Sequence, residues 1–277
     1  MPKLVIVSIV ALCAGLSITR PIGGQMDVEF NTAMMDATVQ IWGPSDKAGK
    51  AFCGSAFFIG ASANESPEAT QYTLVTAAHV LAGIAGDDAN IAVRVKRGDQ
   101  IVRTEAKVPI RKLGASLFAK HPNADVAVVR VTLPNNNAHA MVNWPALATD
   151  EVFAKLDIHP GDEMLTIGYP LCAAANRQGY PMLRRGAVAS PIRVPGIVLT
   201  EFLLDAPTFQ GNSGGPVYFE YADRMIRGVP NKGETHRYVA GLVSQQRHIG
   251  DADLFMATVV PAQFIAETLK RLPPSGQ

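Results

Sequence analysis

The sequence predicts an all-β protein built from two β halves, and three observations carry that prediction. From Thr38 onward the chain is a succession of short β-type segments separated by turn residues, the pattern of a sandwich or barrel. Only "PAQFIAETLKRL", residues 261–272, shows apolar side chains near helical spacing, with Phe264, Ile265, Leu269 and Leu272 behind a proline. Between the two sets of strands lies a stretch rich in asparagine and proline, "LPNNNAHAMVNWPALATDEVFAKLDIHPGD", which reads as a crossing between halves. With 277 residues, the chain can bury about three quarters of its unfolded surface, enough for a substantial core.

Taken in chain order, "MPKLVIVSIVALCAGLSITR" carries one lysine, an apolar stretch from Leu4 to Leu16, then small and polar residues. This predicts a secretory leader over 1–20, with a retained anchor or buried helix as the alternative. A leader implies a secreted or periplasmic protein without stable membrane association once it is removed. An N-terminal extension covers 21–37. The first β half, 38–134, holds "ATVQIW", "GSAFFIG", "YTLVTAA", "NIAVRV", "QIVRTEA" and "ADVAVVRV". The linker is assigned to 135–160. The second half, 161–260, holds "EMLTIGY", "GIVLTEFLL", "GPVYFEY", "RYVAGLVS" and "ATVV", and the helix over 261–272 closes the chain. "RVKRGDQIVR" reads as a solvated hairpin rather than an adhesion tripeptide, and Asn64–Ser66 is a glycan acceptor only in a host that glycosylates.

Composition narrows the function classes. Apolar residues make up 48% and charged residues 18%, and the formal net charge is +1. That balance predicts a globular chain without the field that would gather nucleic acid or an anionic membrane surface. The six histidines and the cysteines beyond the leader show no paired ligand spacing, so neither a metal nor another cofactor is expected. Cys53 and Cys172 would either pair in an oxidising compartment or stay as buried thiols. Oligomeric state is not legible.

Chemistry concentrates in three segments. In "FQGNSGGPVYF", Gly211, Gly214 and Gly215 strip side chains from around Ser213, so that backbone N–H groups can converge on an oxyanion. His79 ends the β run "YTLVTAAHV", and Asp125 opens a strand after the turn "HPNA". A serine nucleophile needs a base to take its proton and a carboxylate to orient that base. His79 and Asp125 are of those types.

The order His79, Asp125, Ser213, in the phrases "TAAH", "DVAVVRV" and "GNSGGP", resembles the trypsin-like, or chymotrypsin-fold, serine proteases over roughly residues 38–272. The resemblance implies two six-stranded antiparallel β-barrels with the site between them. It further implies Ser213 as nucleophile, His79 as general base, Asp125 as its orienter, and the amides of Gly211 and Ser213 as the oxyanion hole. The substrate would be a protein or peptide. Asn212 stands where digestive relatives carry the aspartate of the zymogen switch, so that switch should be absent. Val80 stands where they carry a cysteine, and family geometry brings Cys172 near Cys53, which implies a disulfide. "GNSGGP" with "IGYP" before it is closer to bacterial exported members.

For specificity, the resemblance points to Pro207, Thr208, Gln210, Val243, Ser244, Gln245, Gln246 and Phe255 as substrate-binding positions. Pro207 replaces the pocket acid that would select Lys or Arg. Thr208 matches glutamyl endopeptidases, but Val243 replaces their histidine. Phe255 and Met256 are expected to narrow the pocket, giving a preference for small or medium apolar residues before the cleaved bond. The strand from Ser244 to Gln246 is expected to pair with substrate backbone. Two other classes fit parts of the pattern: an α/β-hydrolase esterase, through G-x-S-x-G, and a protease-fold binding protein without turnover.

Overall fold

The computed structural model describes residues 29–45, 51–60, 69–134, 136–143, 146–249 and 252–272. The leader over 1–20, residues 21–28 of the extension and Asn64–Ser66 lie outside these residues. The chain opens with helix α1 (Phe30–Ala37), followed by strands β1 (Thr38–Pro44), β2 (Ala51–Gly60) and β3 (Ala69–Thr76), and by helix α2 (Ala78–Gly83). Strands β4 (Asp88–Arg97) and β5 (Gln100–Pro109), the short pairs β6 (Arg111–Lys112) and β7 (Ala115–Ser116), then β8 (Ala119–Lys120) and β9 (Ala127–Pro134) complete the first half. After helix α3 (Asp150–Lys155) come β10 (Glu163–Gly168), β11 (Met182–Val188), β12 (Phe202–Asp205) and β13 (Pro216–Ala222). The small hairpin β14 (Met225–Ile226) and β15 (Val229–Pro230), the long strands β16 (Thr235–Ile249) and β17 (Ala252–Pro261), and helix α4 (Ala262–Leu269) follow.

The second half closes into a six-stranded antiparallel barrel in the order β10-β11-β12-β17-β16-β13. The expected first six-stranded barrel is instead an open seven-stranded sheet, ordered β5-β4-β1-β2-β3-β9-β8. Among the described residues its two edges are β5 and the two-residue β8. Backbone groups of β4 are taken by the crossing stretch, where Lys96 N donates to Asn136 O and Ala138 N donates to Arg94 O. The outer strand β5 alternates, with Arg103, Glu105 and Lys107 exposed, a charged edge that resists pairing with another chain. β4 and β5 form the expected hairpin around "RGD", turning at Gly98 and Asp99.

Helices α1, α2 and α3 were not expected from the periodicity. In α1, Phe30, Ala33, Met34 and Ala37 repeat at helical spacing and are buried, and the Glu29 carboxylate caps it, accepting from Asn31 N (3.0 Å) and Thr32 N (2.9 Å). Phe30 meets Tyr218 of the barrel edge-on, with ring centroids 5.3 Å apart. At the other end of α1, Arg94 is fully buried and donates to the carbonyls of Met35, Asp36, Thr38 and Gly179 at 2.9–3.0 Å. That one guanidinium therefore ties β4, α1, β1 and a barrel loop together. Helix α4 returns to the first half, where Phe264, Ile265 and Leu269 join its core.

Candidate active site

Helix α2 starts directly after β3 and lifts His79 to the surface, with 42% of its side chain exposed. Arg111 fixes the far end of this short helix by donating to the carbonyls of Leu81, Ile84 and Gly86. Asp125 comes from the turn before β9. Its loop is anchored by His121, which lies against Phe264 and hydrogen-bonds Glu267 of α4 at 3.0 Å.

The carboxylate of Asp125 gathers three donors. His79 N donates to Oδ1 (2.9 Å), while His79 Nδ1 and the Ser244 hydroxyl both reach Oδ2 at 2.6 Å. Burial pushes the Asp125 carboxyl up, but the hydrogen bond and charge of His79, the Ser244 hydroxyl and the His79 N–H outweigh it and hold the group below the ordinary carboxylate value. An ionised carboxylate only accepts, so Nδ1 carries the proton and Nε2 of the neutral ring is left as an acceptor. This is the tautomer a general base requires.

Ser213 lies in the second of two consecutive turns that share Asn212. Asn212 N donates to Phe209 O (3.0 Å) and Gly215 N to Asn212 O (2.9 Å). Gly211 and Gly214 have φ of +97° and +88°, and a Cβ at either would run into backbone: Tyr169 O in the first case, Ser55 O in the second. The glycines are therefore demanded by both conformation and close approach. Two carbonyls in this loop are pinned: Gln210 O by Leu171 N (2.7 Å), and Asn212 O by Gly215 N. A trans peptide directs its N–H opposite its carbonyl, so the amides of Gly211 and Ser213 both turn away from these anchors. Among the described residues neither amide has a hydrogen-bond acceptor, and the Ser213 hydroxyl makes no hydrogen bond.

The remaining expected positions are spread around this loop. Pro207 and Gln210 are exposed and Thr208 is buried, its hydroxyl directed to Met256 O at 3.4 Å. Val243 is buried in the barrel core, with its backbone bonded to Gly214 and Gly215. Gln245 and Gln246 follow on β16 at an irregularity in its pairing with β17. Phe255 stands 52% exposed at φ +54°, an uncommon conformation for a bulky residue. Cys53 and Cys172 are joined as a disulfide. Three contributors were missed from sequence: the Ser244 side chain, expected only as strand backbone, the Leu171 N–H and the Ser55 hydroxyl. The serine in "CGSAFF" was the available signal for the last, but nothing in sequence says where a buried hydroxyl points.

A histidine and carboxylate from one β half beside a glycine-lined serine turn from the other define the site type of a hydrolase with a two-part β fold. The chain matches the trypsin-like peptidase domain family over residues 54–226 and belongs to it. Among solved structures, it is similar to the HtrA-type protease AlgW with a tripeptide: 19% identity, 90% of this chain and 65% of that chain covered, TM-score 0.52. It is also similar to the active form of the Rv3671c protease from M. tuberculosis: 18% identity, 94% of this chain and 91% of that chain, TM-score 0.50. The chain thus spans just under two thirds of AlgW, and at these identities the likeness is one of fold. No curated protein matches the sequence. Among the described residues, no helix is long and apolar enough to cross a membrane and no cluster of side chains could hold a metal ion.

Proposed function

We propose that this trypsin-like peptidase is a serine endopeptidase working through an acyl-enzyme on Ser213. His79 Nε2 takes the Ser213 proton as Oγ bonds to the substrate carbonyl carbon. The amides of Gly211 and Ser213 receive the oxyanion, and Asp125 stabilises the imidazolium. His79 then gives its proton to the leaving nitrogen as the C–N bond breaks, and water hydrolyses the ester by the same route reversed. The proton transfer needs an Nε2–Oγ hydrogen bond in the substrate complex, where catalytic hydrogen bonds commonly tighten. The reading includes export to a secreted or periplasmic location, and a preference for small or medium apolar residues before the cleaved bond, beside Pro207, Thr208 and Phe255.

The observation that carries this reading is the Asp125 carboxylate, which holds His79 in the base tautomer and also accepts from Ser244 on the strand that pairs with β13 behind the serine turn. Intact-mass analysis after a fluorophosphonate probe tests it. One adduct on the wild-type chain, absent from Ser213→Ala and His79→Ala, is expected; a folded wild-type chain without adduct overturns the mechanism. On a peptide library, cleavage confined to Arg or Glu sites would overturn the apolar preference alone.

A further inference from the structure

Ser55, in the middle of β2, is fully buried, yet every polar group it owns is spent on the candidate site. Its hydroxyl donates to Gly211 O (2.7 Å) and accepts from Tyr169 N (3.0 Å). Its N–H donates to Ser213 O (2.8 Å), and its carbonyl accepts from the Thr76 hydroxyl (2.7 Å), three residues before His79. The first sheet thus grips the serine turn through one residue, on both sides of Asn212.

We propose that Ser55 is a positioning residue that sets the geometry of the oxyanion hole. This inference rests on the serine endopeptidase reading above. The Gly211 amide belongs to the peptide whose carbonyl is pinned by Leu171, and the Ser213 amide to the peptide whose carbonyl is pinned by Gly215. Between these two planes lies the Gly211–Asn212 peptide, and its carbonyl is the one held by the Ser55 hydroxyl. That middle peptide is held at both ends, its N–H by Phe209 O and its carbonyl by the Ser55 hydroxyl, so removing the hydroxyl leaves a single anchor on the link that sets how the two amides are oriented relative to each other. The same hydroxyl fixes Tyr169, which begins the turn through Leu171 and Cys172. Loss of the hydroxyl therefore loosens both amides together, while His79, Asp125 and the substrate-pairing strand β16 keep their own contacts. The oxyanion exists only in the transition state and intermediate, so the defect falls on kcat rather than KM.

The test compares Ser55→Thr with Ser55→Val in the full chain, two side chains of one shape that differ in the hydroxyl, with Ser55→Ala beside them. Peptide hydrolysis and urea unfolding are measured on each. Removing a single oxyanion donor costs about 100- to 1000-fold, so misaligning the pair is expected to lower kcat by about 10- to 100-fold in the Val and Ala variants. KM should stay within about twofold, and Thr should retain near wild-type turnover. Equal kcat in folded Thr and Val variants overturns the proposal, as does a matched rise in KM. If none of the variants folds, Ser55 is a folding residue only and the proposal is likewise overturned. An inactive wild-type chain would instead count against the endopeptidase reading itself.

Discussion

Two histidines, one in the first β half and one in the crossing stretch that follows it, are built with the same local grammar and opposite electrostatics. His79 and His139 each direct Nδ1 to an oxygen, Asp125 Oδ2 at 2.6 Å in one case and the Asp36 main-chain carbonyl at 2.8 Å in the other. Around His79 the partner is a carboxylate and the ring is partly open to solvent, so a charge arriving on the ring is stabilised. His139 is fully buried beside Arg94, and both its burial and that guanidinium hold its pKa well below the ordinary histidine value. Its Nε2 accepts from Arg94 N (2.9 Å), so the neutral ring is a structural connector. A carboxylate as neighbour suits a histidine to proton transfer, and a guanidinium suits it to permanent neutrality.

Breaking each region should therefore damage a different property. Asp125→Asn replaces an acceptor-only group with an amide that no longer enforces the Nδ1–H tautomer, and kcat should fall by about 10⁴-fold with the unfolding midpoint little changed. A loss under about tenfold would remove Asp125 from the mechanism. Arg94→Met should do the reverse. It strips the donor from the carbonyls of Met35, Asp36, Thr38 and Gly179, and unsatisfied buried groups cost about 1–3 kcal/mol each before relaxation. Urea unfolding is expected to show at least about 3 kcal/mol lost. A change within about 1 kcal/mol would mean that the Arg94 knot is dispensable.

The contrast also marks what the sequence made legible. His79, Asp125 and Ser213, the proposed catalytic residues, stood out because each sits in a short local signature, a small-residue corner, a turn before an alternating strand, and glycines around a serine. Arg94 sat in "RVKRGDQIVR" and looked like one more cation on a solvated hairpin, since its four carbonyl partners come from two distant stretches of chain, residues 35–38 and Gly179. His139 lay in a stretch read as linker for the same reason. The seven-stranded order of the first sheet was hidden as well, because a strand pattern does not encode which edges meet. Helix α1 escaped notice because its eight residues sit in a segment with no long apolar period, and its helicity comes from the Glu29 cap and from burial against the barrel.

Acid offers the finest separation of the two regions. Unfolded His139 takes up its proton near the ordinary value of 6.5, and the folded ring does so only at much lower pH. Below about pH 6.5 the unfolded chain thus binds more protons, and stability falls as pH falls, by up to about 1.4 kcal/mol per pH unit from this one residue. Above that pH the contribution is complete. Asp125 is also held below its ordinary value, 3.8 in its case, so its contribution is intact above that pH and is lost only as pH drops further. His236, lowered chiefly by burial, adds a slope of the same sign as His139. Urea midpoints measured from pH 7.5 down to about 4.5 should decline in the wild-type chain. In His139→Gln, where an amide replaces the ring's donor and acceptor without titrating, the decline should be shallower. An unchanged slope in that variant would assign the acid sensitivity elsewhere and leave His139 as a connector that does not resist protonation.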